Sequence, residues 1–455
     1  MSNTIFVQIA AYRDPQLIPT LNDLISKASA PENLTVMICW QHGSEQTLES
    51  FTEEGFELTG AEKSPEHLGD FDVHVLKKNG TTIKLMDVHY NKAKGACWAR
   101  NAIQQHYAGE KYTFQLDSHH RFVDNFDTIL IDMLEGLRDE SPKPLITAYI
   151  PSFDPENDPA ARAMTPWKMD FDRFIPEGAV FFLPSSIDDW KAREGKPMKA
   201  RFYSAHFAFA DGSFAEEVQH DPEYFFHGEE ISIAVRAYTH GYDLYHPTVL
   251  VAWHEYTRKG RVKVWDDHTT TQKVKGMVDL DWVERNNICH ARNRTLFGMD
   301  GHDPKSIDFG KYGFGDKRTV LEYEQYAGIS FVYRGVQQET LDKKEPPNST
   351  VYENEEQWEN SFVRSNDIRI CFAKSELGQI ENDYDFWYVG CHDANGNEIF
   401  RRDAMPHEIK EYLKNDYLDF RLIFLSNIKP VTYTVWTHSS SKGWLTKVDK
   451  IVTEH

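Results

Sequence analysis

Short runs of apolar and β-branched residues alternate with amphipathic stretches over the first 150 residues. The apolar runs predict buried strands at 4–10, 34–40, 81–90, 111–117 and 144–150. Apolar positions at helical spacing predict helices just after Pro15, over 93–107 and over 122–137. Strands that alternate with helices are typical of an α/β fold with crossover connections, and 43–70 has the polar pattern of a loop.

The middle of the chain, about 151–330, is less regular and rich in Pro, Trp and Phe. One helix is clear over 229–241, where EEISIAVRAYTHG ends on a glycine suited to a C-terminal cap. The segment 243–256, DLYHPTVLVAWHEY, follows it and predicts one strand that ends near His254 and Glu255.

The pattern changes after a polar stretch at about 336–360 that predicts a linker. Short alternating strands follow, with the Asn-Gly hairpin signal in DANGN. We therefore predict two domains, 1–340 and an all-β, sandwich-like domain over 345–455. Its aromatic residues suit a sandwich core better than sugar stacking, although they fit both; they are Trp387, Tyr388, Trp436 and Trp444. This domain could bind an acceptor, mediate dimerisation or buttress its neighbour.

Composition narrows the class of protein. The formal net charge is −21, from 71 acidic and 50 basic residues, which disfavours nucleic acid or an anionic membrane as the main partner. No segment has the length of a membrane span or the pattern of a signal peptide. The five cysteines are scattered without a CxxC pair, which suits a reducing compartment, so we expect a cytoplasmic protein.

The stretch FQLDSHHRF places chemistry at the end of a predicted strand. Side chains alternate along an extended segment, so Asp117 and His119 point to one side and together suit Mn²⁺ or Mg²⁺. The alternative is an aspartate that caps the next helix beside a hydrogen-bonded histidine. His254 ends a later apolar run and could be a third ligand, although alone it reads as a half-buried histidine.

Three further polar pairs have both a structural and a functional interpretation. Glu229 and Glu230 begin a helix, where acids are stabilising, yet they could also contact a hydroxyl. Arg100 with Asn101 is either a surface pair or a contact to phosphate or sugar. Arg13 with Asp14 either forms a turn or contacts a base or ribose.

The ordered motifs resemble glycosyltransferase family 60, which includes cytoplasmic polypeptide α-N-acetylglucosaminyltransferases that modify hydroxyproline. More distantly they are similar to the polypeptide N-acetylgalactosaminyltransferases. The resemblance covers about residues 1–335, and its motifs are VQIAAYRDP, KGACWARNAI, QLDSHHRF, FFHGEEISIAVRAYTHGYDLYHP and AWHEY.

The resemblance implies a GT-A fold and a retaining, metal-dependent transfer of a sugar, N-acetylglucosamine by analogy, from a UDP-sugar. The acceptor would be a hydroxyl of a protein or glycan, hydroxyproline by analogy, and the linkage α. The residues it implicates fall into three sets: Asp117, His119 and His254 for the metal; Tyr12, Arg13, Asp14, Arg100, Asn101, Asp117 and Ser118 for the donor; Glu229, Glu230 and Asp117 for catalysis.

Two other classes stay open at this point. A metal hydrolase would use Asp117, His119 and His254 to activate water, and would cleave a phosphate or ester without a nucleotide sugar. A catalytically dead protein would bind a nucleotide or glycan through the same residues.

Overall fold

A computed structural model describes residues 3–452. Contacts within the chain define two compact units. The first comprises 3–172, 177–328 and 343–348, and the second comprises 173–176, 329–342 and 349–452. The functional domains 1–340 and 345–455 stay predictions, because compactness alone does not assign a function to either unit.

The described residues 3–328 form fourteen strands and ten α-helices. The strands are β1 (Ile5–Tyr12), β2 (Leu34–His42), β3 (Glu57–Lys63), β4 (Asp72–Lys78), β5 (Thr81–His89), β6 (Tyr112–Asp117), β7 (His120–Phe122), β8 (Pro144–Thr147), β9 (Trp167–Phe174), β10 (Val180–Ser186), β11 (Met198–Lys199), β12 (Phe207–Asp211), β13 (Asp243–His246) and β14 (Ala252–His254). The helices are α1 (Leu17–Lys27), α2 (Glu49–Glu53), α3 (Ala96–Gln104), α4 (Phe126–Glu135), α5 (Phe214–Glu217), α6 (Glu229–Thr239), α7 (Val264–Asp267), α8 (Thr270–Val274), α9 (Trp282–Phe297) and α10 (Val320–Ala327).

Ten strands form one sheet in the order β11-β13-β8-β12-β6-β1-β2-β5-β4-β3. Its centre is parallel, because β1 pairs with both β2 and β6 in that sense, and β2 with β5. The pairing of β12 with β6 is antiparallel. The α/β class predicted from the alternating pattern is confirmed, and the carboxyl ends of β1 and β6 meet at one edge, where such sheets bind ligands.

The core explains why the central strands read as continuous apolar runs. Strand β6 is buried from Tyr112 to Leu116, with helices covering its face. Phe114 is fully buried and contacts the rings of Phe122, Phe126, Phe207 and Phe209. Such a core fixes the position of Asp117 at the end of the strand.

Three predictions about local structure are wrong. The stretch 43–70 contains α2 and β3; every residue of β3 is exposed, so no apolar alternation marks it. The segment 243–256 forms two strands, β13 and β14, separated by Pro247, which has no N–H for a ladder. The stretch 336–360 is not a bare linker, since it contains parts of a strand and two short helices. Within 3–452 no helix is both long and apolar enough to cross a membrane.

The second unit contains two antiparallel four-stranded sheets, which confirms the predicted smaller all-β fold. The strands after residue 328 are β15 (Ile329–Ser330), β16 (Gly335–Gln337), β17 (Phe362–Ala373), β18 (Tyr384–His392), β19 (Glu398–Arg401), β20 (Tyr417–Ser426), β21 (Thr432–Ser439) and β22 (Gly443–Ile451); the short helices are α11 (Gln338–Leu341), α12 (Glu355–Asn360) and α13 (Pro406–Tyr412). The sheets have the orders β15-β16-β17-β20 and β19-β18-β21-β22, and both contribute to one apolar core.

The aromatic residues of this unit divide between core and surface. Trp387 is fully buried, as predicted for a sandwich core. Trp444 is 45% exposed, so the core interpretation is wrong for it, and Tyr388 and Trp436 are only half-buried. Buried and exposed side chains alternate along a strand, and in this unit aromatic residues occupy positions of both kinds.

Candidate active site

The predicted metal ligands come together at the carboxyl edge of the parallel strands. Asp117 ends β6, and Ala10 of β1 lies beside it in the sheet register. His119 follows two residues later. His254 arrives on β14, which pairs with β7 so that His254 lies opposite His120. The sheet and this two-stranded ribbon therefore bring residues 135 positions apart in the sequence into one cluster.

One atom each from Asp117, His119 and His254 lies within 4.8 Å of the others, a spacing that suits a shared cation. Nε2 of His254 is 3.5 Å and Nε2 of His119 is 3.7 Å from Oδ2 of Asp117. His254 is buried, and neither of its ring nitrogens has a hydrogen-bond partner among the described residues. Buried polar groups rarely go unpaired, so this orphaned imidazole fits a metal ligand.

Protonation states in the cluster also fit a cation. Burial holds the pKa of His254 well below its ordinary value, so the imidazole is neutral and its lone pair is available. Removal from water raises the pKa of Asp117, but the nearby imidazole of His254, 3.5 Å away, and the charge of Arg100 outweigh that effect. The pKa of Asp117 is therefore well below its usual range, and the group is a carboxylate.

Asp14 orients the imidazole ring of His119 by contacting Nδ1, the nitrogen that does not face Asp117. Its Oδ2 lies 2.7 Å from Nδ1 of His119, and the Ser118 hydroxyl donates to the same oxygen at 2.7 Å. Nη1 of Arg261 is 3.2 Å from that oxygen and 2.5 Å from Nδ1 of His119. A carboxylate oxygen only accepts hydrogen bonds, so its 2.7 Å contact assigns a proton to Nδ1 of His119, and Asp14 accepts from both residues. With Nδ1 protonated, Nε2 of His119 is left as the lone-pair nitrogen that faces Asp117.

Arg100 joins two of the predicted acids. It projects from α3, is 4% exposed, and donates from Nη2 to Oδ1 of Asp117 at 2.9 Å. Its Nη1 donates to Oε2 of Glu229 at 2.7 Å, and the Cys97 thiol donates to that same oxygen at 2.6 Å. Oε2 of Glu229 therefore accepts from two protein donors, and one of these bonds holds Arg100 in place.

Glu230 has a different environment from its neighbour. Its Oε1 accepts from the backbone N–H of Ala205 at 3.0 Å, and its Oε2 accepts from the Tyr149 hydroxyl at 2.7 Å. Burial raises the pKa of Glu230 to about 7, because these two hydrogen bonds offset only part of the desolvation cost. A carboxyl of this kind can accept or donate a proton near neutral pH.

Two cavities meet at the cluster. The larger, about 390 Å³, contains Tyr149, His206, Glu229 and Glu230 on its wall, with the rings of Phe181 and Phe182 opposite. The smaller, about 170 Å³, is lined by Tyr12, Gln41, Ser118 and His119. Five residues line both: Arg100, Asp117, Phe226, His254 and Arg258. A ligand that extends from one cavity into the other passes the cluster.

Not every predicted donor residue lines these cavities. Tyr12 does, and its hydroxyl donates to Asp267 at 2.8 Å. Arg13 forms ion pairs with Asp267 and Glu45 instead. The amide of Asn101 donates to the carbonyl of His220 at 2.8 Å and lines a separate cavity.

Residues that sequence reasoning missed come from the loop after β14 and from the turn just before β12. Arg258 is exposed, adopts a φ of 52°, and lines both cavities as a cation. Arg261 is three residues further along. The two arginines of RKGR, a segment that begins four residues after His254, were a signal for anion binding in the sequence. His206, whose ring stacks 4.2 Å from that of His254, had no such signal.

An α/β sheet with a cation-type cluster between two cavities at its carboxyl edge suits an enzyme that acts on an anionic ligand. Residues 4–333 match the family described as Glycosyltransferase (GlcNAc), and the chain belongs to that family of glycosyltransferases. The match confirms that the motifs belong to a glycosyltransferase, whereas membership of family 60 and the modification of hydroxyproline stay predictions. No curated protein sequence matches the chain.

Solved structures are similar only distantly. GalNAc-T7 with UDP, GalNAc and Mn²⁺ is 12% identical with a TM-score of 0.40, over 70% of this chain and 54% of that one. The S. aureus TarS fragment 1–349 with UDP-GlcNAc is 12% identical with a TM-score of 0.33, over 65% and 73%. PcManGT from Pyrobaculum calidifontis, with GDP-Man and Mn²⁺, is 11% identical with a TM-score of 0.34, over 56% and 58%. The chain thus spans about half the length of GalNAc-T7, and similarity at this level transfers neither substrate nor metal.

Proposed function

We propose that this glycosyltransferase uses a divalent cation to transfer N-acetylglucosamine from UDP-GlcNAc to a hydroxyl, with retention and an α-linked product. The observation that carries the proposal is the cluster of Asp117, His119 and His254 at the junction of two cavities. The motif resemblance supports UDP as the nucleotide and a hydroxyproline-bearing polypeptide as the acceptor. The catalytic role belongs to 1–340 and an accessory role to 345–455.

The donor spans both cavities in this proposal. The nucleoside enters the smaller one beside Tyr12, and the sugar enters the larger one beside Glu230. Asp117, His119 and His254 would hold Mn²⁺ or Mg²⁺, and the ion would supply positive charge beside the diphosphate. The guanidinium of Arg258 adds a positive charge where the two cavities meet. Arg100 keeps Asp117 ionised and oriented.

The reaction breaks the bond between the sugar carbon and the diphosphate oxygen and forms a bond from that carbon to the acceptor oxygen. The acceptor attacks on the face that the diphosphate leaves, and its proton passes to a departing phosphate oxygen. The sugar becomes oxocarbenium-like, so the carboxyl of Glu230 beside it stabilises developing positive charge and binds a sugar hydroxyl. No side-chain nucleophile is required.

Asp14 and Ser118 act as orienting residues rather than donor contacts in this account. Both are buried and bonded to each other, and Asp14 is also bonded to His119. Arg13 is held by Asp267 and Glu45 and lines neither cavity, so we give it a structural role. All five cysteines are free thiols, which supports the reducing, cytoplasmic compartment expected from the sequence.

The test is UDP release from UDP-GlcNAc, UDP-GalNAc and UDP-glucose, each with Mn²⁺, with Mg²⁺ and with chelator. Hydroxyproline and proline peptides of otherwise identical sequence serve as acceptor and control. We expect release with one donor, stimulation by the hydroxyproline peptide, and loss with chelator and in Asp117→Ala. Asp124→Ala is the matched control, since Asp124 is exposed and pairs only with Lys27.

Each part of the proposal can fail separately. Release with a different sugar would correct the donor but keep the mechanism. Equal release with both peptides would remove hydroxyproline as the acceptor. Absence of release from every donor, together with metal-dependent cleavage of a simple phosphate ester, would favour a hydrolase; absence of both would favour a binding protein.

A further inference from the structure

One face of the second unit exposes an ordered set of rings. Strands β18, β21 and β22 lie side by side, and their outward side chains form two rows in register. We call these six residues the aromatic platform: Tyr388, Trp436 and Lys447 in one row, and Phe386, His438 and Trp444 in the other. Three strands span about 10 Å, which is wide enough for more than one sugar ring.

The rings of the platform support one another. Phe386 stacks on His438 with centroids 5.0 Å apart, and Trp436 lies 4.3 Å from Trp444. Trp444 meets Phe386 edge to face at 5.4 Å. Rings fixed in this way lose little freedom when a ligand binds, which favours affinity.

The edge of the platform is polar and carries both signs of charge. Asp385 accepts from Nδ1 of His438 at 2.7 Å, and Glu398 accepts from the Tyr388 hydroxyl at 2.6 Å. The guanidinium of Arg401 lies 4.9 Å from the centre of the Tyr388 ring. Hydrogen-bond acceptors and donors therefore lie along the edge of the aromatic rings.

We infer that the aromatic platform is a binding site for a neutral glycan. The C–H groups on one side of a pyranose ring carry partial positive charge and pack on the negative face of the exposed Trp444 ring, which Trp436 supports at 4.3 Å. Sugar hydroxyls reach Asp385 and Glu398. A second copy of the chain is a poorer occupant, since each copy carries a charge of −21 and copies repel. The carboxylates of Asp385 and Glu398 offset the cations Arg401 and Lys447, so the platform offers no excess positive charge to a phosphate-rich ligand.

This site goes beyond the proposed transfer reaction and does not depend on it. The family match ends at residue 333, and every residue of the platform lies after that point. Binding at the platform needs neither a nucleotide nor a cation. Its test is therefore run on the full chain without either, so that its outcome is independent of the donor site.

The experiment titrates the full chain with linear hexasaccharides of N-acetylglucosamine, glucose and mannose, followed by tryptophan fluorescence and calorimetry. Trp444→Ala removes an exposed ring, and Trp444→Phe keeps an aromatic face. Tyr417→Ala is the matched control, because Tyr417 is 64% exposed on β20, in the other sheet of this unit. Thermal unfolding verifies that each variant is folded.

We expect one hexasaccharide to bind, with at least a tenfold loss in Trp444→Ala, partial recovery in Trp444→Phe and no change in Tyr417→Ala. UDP release by Trp444→Ala should equal that of the native chain. The inference fails if no hexasaccharide saturates the chain up to about 10 mM, or if both alanine variants lose binding equally. It also fails if sedimentation shows that the native chain self-associates through Trp444, which would make a second copy the occupant.

Discussion

The guanidinium of Arg100 contacts Asp117 on the carboxylate oxygen that the histidines do not face. Nη2 lies 2.9 Å from Oδ1, whereas Nε2 of both His119 and His254 is nearest to Oδ2. One oxygen is therefore fixed by the protein and the other points into the cluster. Because Glu229 holds the far side of Arg100, a helix-borne carboxylate determines the orientation of a strand-borne one.

Arg100→Lys should impair both metal binding and catalysis. A lysine ammonium is a point charge that cannot bridge Asp117 and Glu229 as a planar guanidinium does, so Asp117 loses its fixed orientation. We expect kcat/KM for the nucleotide sugar to fall about 100-fold and the affinity for Mn²⁺ about tenfold. Steady-state kinetics and calorimetric Mn²⁺ titration measure the two effects.

Arg138→Lys is the control for this substitution. Arg138 also bridges two carboxylates, Glu135 and Asp211, but away from the cluster. Equal effects of the two substitutions would mean that the role assigned to Arg100 is incorrect.

Asp14→Asn should weaken the metal site without touching a ligand. An amide in place of the carboxylate no longer favours a proton on Nδ1 of His119, so the proton moves to Nε2 and blocks the coordinating nitrogen. We expect Mn²⁺ affinity to fall about 10- to 100-fold. Asp124→Asn, on the surface, should leave the affinity unchanged; an Asp14→Asn variant with native affinity would contradict the orienting role.

Glu230→Gln should change how stability depends on pH. The pKa of Glu230 is raised in the folded protein to about 7. The native state therefore retains this proton at a pH where the unfolded chain has lost it. Its stabilising contribution is complete below the ordinary carboxyl pKa and is lost as pH rises through about 7.

The free energy of unfolding of the native chain, relative to Glu230→Gln, should therefore fall by about 2 kcal/mol between acidic and mildly alkaline pH. This free-energy change is smaller than the raised pKa alone would give, because the carboxyl of Glu230 lines a cavity open to water. Denaturant titrations of both proteins at a series of pH values measure the difference. A difference that does not vary with pH would show that the pKa is not raised.

Phe114→Ala should destabilise the first unit through its core. Phe114 is fully buried among four other rings on the strand that ends at Asp117, so its loss leaves a cavity. We expect a loss of about 3–5 kcal/mol in the free energy of unfolding. Leu183→Ala, at a side chain that is 52% exposed, should change it by less than about 0.5 kcal/mol. A small effect of Phe114→Ala would mean that the core closes around the cavity.

Periodicity predicted the elements that build the candidate site. Strands β1 and β6 and helices α3 and α6 are long apolar or amphipathic patterns. Asp117 ends β6, Glu229 begins α6 and Arg100 lies in the middle of α3. The D-x-H spacing correctly brought Asp117 and His119 to one side. Strand β3 was not predicted, because every residue of this edge strand is exposed and its sequence therefore lacks alternating apolar and polar positions.

Contacts between residues far apart in the chain could not be predicted from the sequence. Asp14 and His119 are 105 positions apart, and a turn aspartate gives no sign of the histidine that it orients. The orphaned ring of His254 is likewise visible only once its neighbours are in place. In the second unit, Trp387 and Trp436 both lie in strands rich in aromatic residues, so alternation could not tell the core face from the outer one.

The most direct test of the central claim is whether Mn²⁺ and UDP bind together. Electron paramagnetic resonance of free Mn²⁺ gives its affinity with and without UDP, for the native chain and for Asp117→Ala. If a cation at Asp117, His119 and His254 holds the diphosphate, UDP should tighten Mn²⁺ binding about tenfold or more, and by linkage Mn²⁺ should tighten UDP equally. Asp117→Ala should abolish this coupling. Equal UDP affinity with Mn²⁺ and with chelator in the native chain would contradict the account.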